Sequence, residues 1–381
     1  MMRCDGDWIE RTETQAVMAS LLAGGTEAYF VGGCVRNSLI GAPVDDIDIA
    51  TNLLPLDVIA RAEAGGFRAI PTGIDHGTIT VVANETPFEI TTYRKDVETD
   101  GRHAVIQFST SLKEDAERRD FTMNALYADQ HGMITDPVGG LVDLEARIVR
   151  FIGDPSARIR EDYLRILRFF RFHAWYGDPN AGIDPEGLAA VAEHLDGLER
   201  LAAERIGKEI LKLLGAPDPA QSVASMRATG VLNQILPGSN DKALAPLIHI
   251  ESDLGIDADP ILRLGVLGSE DPCARLRLSK QQCKRLEQIS SAVSQGYGAT
   301  ELGYRLKDLA VSAYAASCAL LEAIPLPADL ALIKRGQEAV FPVRAADLAP
   351  LNGAAIGQKL KDLERKWIIS GFSLSKTELL G

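Results

Sequence analysis

Gly32-Gly33-Cys34-Val35-Arg36, running through a short apolar stretch into Asp45-Asp46-Ile47-Asp48-Ile49-Ala50-Thr51, decides how this chain is read. In a strand successive side chains point to opposite faces, so Asp46 and Asp48 share one face while Ile47 and Ile49 bury on the other. Side-by-side carboxylates repel and resist burial unless a cation sits between them. Hard divalent ions such as Mg2+ take carboxylate oxygens together with substrate phosphates. The Gly-Gly turn follows the strand-like Ala28-Tyr29-Phe30-Val31 and precedes a helix-like segment. It lets backbone amides of Gly32 and Gly33 approach an anion, and Arg36 is placed to clamp it. Together these residues predict a metal-triphosphate site. The plainer alternatives are an exposed acidic turn and an ordinary strand-to-helix turn with a surface arginine.

Working outward, residues 1–147 alternate strand-like and helix-like patterns: a helix over 14–23, then strands over 28–31, 46–50, 78–82, 87–92 and 107–108. From about Phe151 onward Leu/Ala/Glu/Arg-rich helical periodicity takes over. The fold class expected is α+β, a mixed-sheet head over 1–147 followed by an all-helical neck over 148–240 and a helical body and tail over 241–381. A chain of 381 residues with 46% hydrophobic content has enough apolar side chains for more than one core. No apolar run reaches the length of a membrane span and the start carries no signal-like stretch, so cytoplasmic residence is expected. The five cysteines are scattered, with no Cys-x-x-Cys, which predicts reduced structural thiols.

The formal charge of −13 excludes a generally sticky nucleic-acid binder. Locally the balance reverses. Arg147, Arg150, Arg158, Arg160, Arg165, Arg168 and Arg171 face only Asp154, Glu161 and Asp162 over the same stretch. A basic strip of this kind suits one folded RNA end, with modest and salt-sensitive affinity.

Three further motifs follow the first block: Arg118-Arg119-Asp120-Phe121-Thr122-Met123-Asn124-Ala125, Asp136-Pro137-x-Gly139-Gly140-x-x-Asp143-Leu144 and Glu161-Asp162-Tyr163-Leu164-Arg165. In this order and spacing they resemble the bacterial tRNA nucleotidyltransferase and poly(A) polymerase family, class II of the polymerase-beta-like nucleotidyltransferases. The resemblance implies a polymerase-beta-like head that uses ATP and CTP, with Mg2+, to extend the 3′ end of tRNA. A poly(A) polymerase shares the motifs, and a catalytically silent RNA-binding protein is the rival of another class. Asp46 and Asp48 are the expected metal ligands. Glu89, between the apolar Phe88 and Ile90 of a neighbouring strand, is the expected third carboxylate. The family usually carries Asp where this chain has Asn37, which excludes a salt bridge there. By resemblance Arg119 contacts the nucleotide, while Asp120 and Asn124, spaced i and i+4 at the start of a helix, address the ribose or organise the pocket.

A single helix over 158–175 is expected to place Tyr163, Ile166, Leu167 and Phe170 on one face and Asp162 and Arg165 together on a polar edge. A fixed carboxylate beside a fixed guanidinium imitates a Watson-Crick edge. Asp162 accepts from the amino group that cytosine and adenine share, and Arg165 donates to a ring nitrogen or carbonyl. UTP and GTP, with a carbonyl at that place, leave the acceptor unpaired. Arg168 and Arg171 continue the helix toward nucleotide or RNA phosphate, or form an exposed stripe. In the family the polar loop Arg94–His103 helps move the site between CTP and ATP states, although Ala104 stands where the family more often has Pro. The C-terminal segment 348–381 resembles the family's tail, for which docking on the RNA elbow is implied.

Overall fold

The structure, a computed structural model, describes residues 2–100 and 103–381, with the side chains of 96–106 left aside. Its strands are β1 (Ala28–Val31), β2 (Ile47–Thr51), β3 (Arg68–Gly73), β4 (Thr78–Ala83), β5 (Thr86–Thr92), β6 (Arg94–Asp100), β7 (His103–Phe108), β8 (Tyr127–Ala128) and β9 (Ile134–Thr135). Seven of them form one sheet in the order β3-β4-β5-β2-β1-β8-β9, and β6 and β7 make a separate hairpin. β2 lies at the centre, antiparallel to β1 and parallel to β5. Alternation explains the placement: Ile47, Ile49, Phe88, Ile90, Ile79 and Val81 are buried, while Asp48 and Glu89 alternate with them. Helices Thr12–Leu22 and Pro55–Ala64 pack on the sheet and bring Val17, Met18, Leu21, Val58 and Ala62 into the core. The expected loop function at Arg94–His103 falls on Gly101, Arg102 and the side chains of 96–106, including Ala104, and lies outside the described residues.

The helix expected over 158–175 is two helices, Pro155–Glu161 and Leu164–Tyr176. Asp162 breaks it with an extended backbone, φ −151 and ψ 106. Its carboxylate accepts from the Leu164 amide at 3.0 Å and so starts the second helix, the competition with helix continuation that short acidic side chains offer. The second helix buries Ile166, Leu167, Phe169, Phe170 and Phe172. Phe121, Phe151, Phe169 and Phe172 form an aromatic cluster with ring centroids 5.0 to 6.2 Å apart. Truncating Phe121 to Ala there costs about 4 kcal/mol. This cluster anchors the Arg118–Asn124 segment to the Leu164–Tyr176 helix.

The chain divides into two compact units, one of residues up to Glu209 with Gln221–Ile235 and one of Ile210–Ala220 with Leu236–Gly381. The second unit is helical. Arg263, buried, pairs with Glu251 at 2.7 Å and donates to the carbonyls of Leu214, Ala216 and Pro217, which closes the end of a helix against its neighbours. Near the C-terminus Trp367 packs edge-on or tilted against Tyr304, Phe341 and Phe372, in a core that includes Leu363, Ile368 and Leu379. The thiols are not all reduced as expected: Cys273 and Cys283 are joined across a tight turn, Cα to Cα 5.7 Å, whereas Cys4, Cys34 and Cys318 are free and buried. Scattered spacing hid a pair that the turn between two helices brings together. Among the described residues no helix is long and apolar enough to cross a membrane.

Candidate active site

The parallel register of β2 and β5 sets Asp48 directly beside Glu89. Side chains at such positions share a face with Cβ atoms about 5 Å apart. Asp45 and Asp46, just before β2, are exposed. Burial pushes the Asp48 carboxyl up to about 6; Glu89 and Asp46 add repulsion, while Arg119 and Arg36 oppose it. The two expected acids and the expected third one therefore act on one another, with two guanidiniums nearby. Among the described residues no three His, Cys, Asp or Glu side chains gather tightly enough to hold a metal by themselves. The donor set still fits an ion of the Mg2+ type. Such an ion needs only one or two carboxylates, and water and substrate phosphates complete its shell.

Gly32 has φ +74, a conformation that side chains with a Cβ disfavour. A Cβ there would lie 3.9 Å from Asp48 Oδ2 and 3.8 Å from Arg119 Nη1, so the turn runs between the carboxylate and a guanidinium. Gly33 opens the short helix Gly33–Leu39. Arg36, on that helix, is only 5% exposed. Its Nε and Nη2 donate to Asn37 Oδ1 at 3.2 and 2.8 Å, Nη1 donates to Asn124 Oδ1, and Nη2 also reaches the Tyr176 hydroxyl at 2.8 Å. The guanidinium carbon lies 3.9 Å from the centre of the Tyr176 ring. Burial draws the Arg36 pKa below its ordinary value.

The Arg118–Ala125 segment is not the start of an α-helix; it forms a 3₁₀ turn at Thr122–Asn124. The i, i+4 adjacency survives, because Asn124 Nδ2 donates to Asp120 Oδ1 at 3.0 Å. Arg168 Nε donates to the other Asp120 oxygen at 2.7 Å. Burial opposes ionisation of Asp120, but Arg168 and Asn124 hold its carboxyl well below the usual range. Arg119 is oriented by Asp115, at 3.0 Å, and by the Tyr127 hydroxyl, at 3.1 Å. Burial pushes the Asp115 carboxyl up, yet Arg119, Arg118 and the Tyr127 hydroxyl hold it at about 2. Asp115, Tyr127 and Tyr176 were missed in the sequence; Asp115, at i−4 from Arg119, was the one with a readable spacing. The Asp136–Leu144 motif braces this turn. Asp136 caps the Gly140 and Leu141 amides, Asp143 accepts from the Thr122 hydroxyl at 2.7 Å, and a Cβ on Gly140 would strike the Thr122 carbonyl at 2.1 Å.

Asp162 and Arg165 are not side by side as expected. Asp162 pairs with Arg205 at 2.7 Å, while Arg165 bonds Glu161 and the carbonyls of Arg158 and Arg118. Each side chain is taken up by other partners, and among the described residues only a backbone bond joins the two residues, from the Arg165 amide to the Asp162 carbonyl at 2.9 Å. Asp162 remains about one-third exposed at 32%. The expected basic strip is largely neutralised within the fold: Arg150 meets Asp143, Arg158 and Arg165 meet Glu161, Arg168 meets Asp120 and Arg171 meets Glu209. Arg168 and Arg171 thus form structural pairs, not an exposed stripe.

Comparison with known proteins bears on this geometry. Residues 28–150 match the family described as "Poly A polymerase head domain", and 182–242 match "Probable RNA and SrmB- binding site of polymerase A". The chain is 32% identical over 384 residues to human "CCA tRNA nucleotidyltransferase 1, mitochondrial", covering 93% of this chain and 86% of the human protein. The chain belongs to the CCA tRNA nucleotidyltransferase family. The "CCA-adding enzyme" of Geobacillus thermodenitrificans is 42% identical over 220 residues, 57% of this chain and 52% of that protein. The crystal structure of the Bacillus stearothermophilus CCA-adding enzyme in complex with CTP superposes with a TM-score of 0.72 at 29% identity, covering 94% of this chain and 92% of the other. Catalysis in CCA tRNA nucleotidyltransferases is metal-dependent, in keeping with Asp48 on β2, Asp46 just before it and Glu89 beside it on β5.

Proposed function

We propose that this enzyme adds CMP and AMP from CTP and ATP to the 3′ end of tRNA, completing or repairing the CCA terminus, with release of pyrophosphate. The observation that carries the reading is Asp48: a half-buried carboxylate, beside Glu89 and Asp46, with the Gly32 turn and two guanidiniums around it. Asp46 and Asp48, supported by Glu89, would hold Mg2+, which when bound neutralises the α-phosphate and acidifies the attacking hydroxyl. The remaining roles belong to side chains and backbone. Amides of Gly32 and Gly33 and the guanidinium of Arg36 hold the triphosphate. Arg119, fixed by Asp115 and Tyr127, adds positive charge where negative charge develops. Asp120 and Asn124 keep Arg168 and Arg36 in register and border the ribose.

Selection falls to Asp162. Its partly exposed carboxylate accepts from the amino group common to cytosine and adenine, and a carbonyl in that place meets only a lone pair. Arg165 supplies the complementary donors after turning from Glu161 toward the base. The test is transfer of labelled CMP and AMP to tRNA in the presence and absence of Mg2+, with CTP, ATP, UTP and GTP offered singly. Incorporation of CMP and AMP alone, abolished by a chelator and restored by Mg2+, is expected. Incorporation insensitive to chelation, or equal use of UTP, refutes the assignment.

A further inference from the structure

Arg36 is held by two separate elements, and only one of them belongs to the motifs of the sequence. From the Arg118–Ala125 segment Asn124 Oδ1 accepts from Nη1. From the Leu164–Tyr176 helix the Tyr176 hydroxyl accepts from Nη2 at 2.8 Å, and the guanidinium carbon lies 3.9 Å from the centre of the Tyr176 ring. Phe172, one turn earlier on the same helix, has its ring centre 5.2 Å from that carbon. Two aromatic rings thus stand in for water around a guanidinium that is buried, surroundings that suit a planar and weakly hydrated cation. Arg36 also borders the phosphate turn, since a Cβ on Gly33 would lie 3.9 Å from its Nη2.

The tyrosine is itself fixed. It is the last residue of its helix, and the chain is tied down on either side of it. His173 Nδ1 and the Ser222 hydroxyl share a hydrogen bond of 2.8 Å, the Gly177 amide donates to the His173 carbonyl at 2.9 Å, and the Asp178 amide donates to the Arg147 carbonyl at 3.1 Å. Phe172 and Tyr176 pack on one another with ring centroids 5.4 Å apart. A ring anchored in this way restricts the rotamers of Arg36, a side chain that otherwise has much freedom to lose when it grips an anion. We propose that Tyr176 is a positioning residue for the triphosphate: its ring holds the Arg36 guanidinium at the phosphate turn, so that the helix which begins beside Asp162 also steadies the phosphate-binding charge. The proposal rests on the reading that Arg36 holds the triphosphate. Because the triphosphate is common to CTP and ATP, the effect is the same for both.

Ring, hydroxyl and guanidinium are separated by Tyr176→Phe, Tyr176→Leu, Arg36→Ala and the double variant of the last two. The full-length enzyme is assayed for KM with CTP and with ATP, for kcat, and for inhibition by inorganic pyrophosphate. Thermal melts verify folding. Tyr176→Leu, which removes the ring, is expected to raise both KM values and the pyrophosphate inhibition constant by about tenfold in parallel, with kcat changed by less than about threefold. Tyr176→Phe keeps the ring, and Asn37 still bonds Nη2, so these constants are expected to stay within about threefold of the parent. On top of Arg36→Ala, Tyr176→Leu is expected to add less than about threefold, because the ring then has no cation to hold. Unchanged constants in Tyr176→Leu, a fall in kcat there without the rise in KM, a loss in Tyr176→Phe as large as in Tyr176→Leu, or full additivity in the double variant overturns the proposal. If Tyr176→Leu does not fold, Tyr176→Gln, which lacks the ring but suits a half-buried helix end, is held to the same outcomes. Arg36→Ala alone tests the underlying reading. Unaltered KM and pyrophosphate inhibition there remove the triphosphate role of Arg36, whereas a raised KM in Arg36→Ala with none in Tyr176→Leu rejects the positioning role of Tyr176 alone.

Discussion

Asp48→Asn removes a charge that the folded enzyme holds at a disadvantage. Burial, with Glu89 and Asp46 beside it, raises the carboxyl from its ordinary value of 3.8 to about 6. Folding thus disfavours the ionised form, and the penalty exists where the folded group is charged. At pH 7.5 it amounts to about 3 kcal/mol and by pH 4 it falls below about 1 kcal/mol, because protonation in the folded state removes the disadvantage before the unfolded chain protonates. The isosteric amide should therefore raise the melting temperature at pH 7.5 by about 6 °C and by much less at pH 4. Transfer should be abolished at the same time. Mg2+ should stabilise the parent and not the variant, since a bound cation relieves the same repulsion. The assay is a thermal melt at each pH, with and without Mg2+. A variant no more stable than the parent at pH 7.5, or a gain that grows on acidification, refutes the electrostatic account of this carboxylate.

Four other outcomes follow from the structure. Asp162→Ala should cost about 1 kcal/mol through loss of its bond to the Leu164 amide, and should lower discrimination against UTP and GTP by about a hundredfold or more, measured as the ratio of kcat/KM values; selection as sharp as the parent's would remove Asp162 from base reading. Asp115, held at about 2 by Arg119 and Arg118, contributes stability above pH 4 that is lost as the pH falls through 2. Asp115→Asn, which leaves Arg118 and Arg119 without their counter-charge, should cost about 3 kcal/mol in denaturant unfolding at neutral pH, and a change below about 1 would show that the buried cluster relaxes. Gly32→Ala should cost about 1 kcal/mol from its positive φ and raise KM for both nucleotides, and an unaltered KM would separate this turn from the phosphates. Asp46→Asn, at an exposed position, should stop transfer while moving the melt by less than about 1 °C, and near-parent turnover would contradict its metal role.

Period-two alternation made the centre of the sheet legible. Ile47-Asp48-Ile49 and Phe88-Glu89-Ile90 each carry an acid between two buried residues, which put Glu89 on a neighbouring strand, whereas the parallel register that sets it beside Asp48 was not readable from the pattern. β8 and β9 were not legible, since two-residue strands carry no period. The helix break at Asp162 was hidden because residues 158–175 keep an apolar helical period across it. What stops the first helix is a side-chain bond to the Leu164 amide together with an ion pair to Arg205, and the latter is remote in sequence. The basic strip misled for a related reason. Counting charges along the chain ignores Asp143, Asp120 and Glu209, which arrive from elsewhere to pair with it. The partners of Arg36 were equally out of reach, because Tyr176 meets it only once the Leu164–Tyr176 helix has docked beside the Gly33–Leu39 helix.

Asp46 and Asp48 are proposed to serve a nucleotidyltransferase that builds a defined CCA end. The most direct measurement is the product formed on tRNAs ending just before CCA, after the first C, and after both Cs, with CTP and ATP supplied singly and together and every product resolved to one nucleotide. Additions that stop at CCA are expected on all three tRNAs, with CTP alone halting before the final A. Open-ended adenylate tails, or extension of a tRNA that already ends in CCA, would contradict this role.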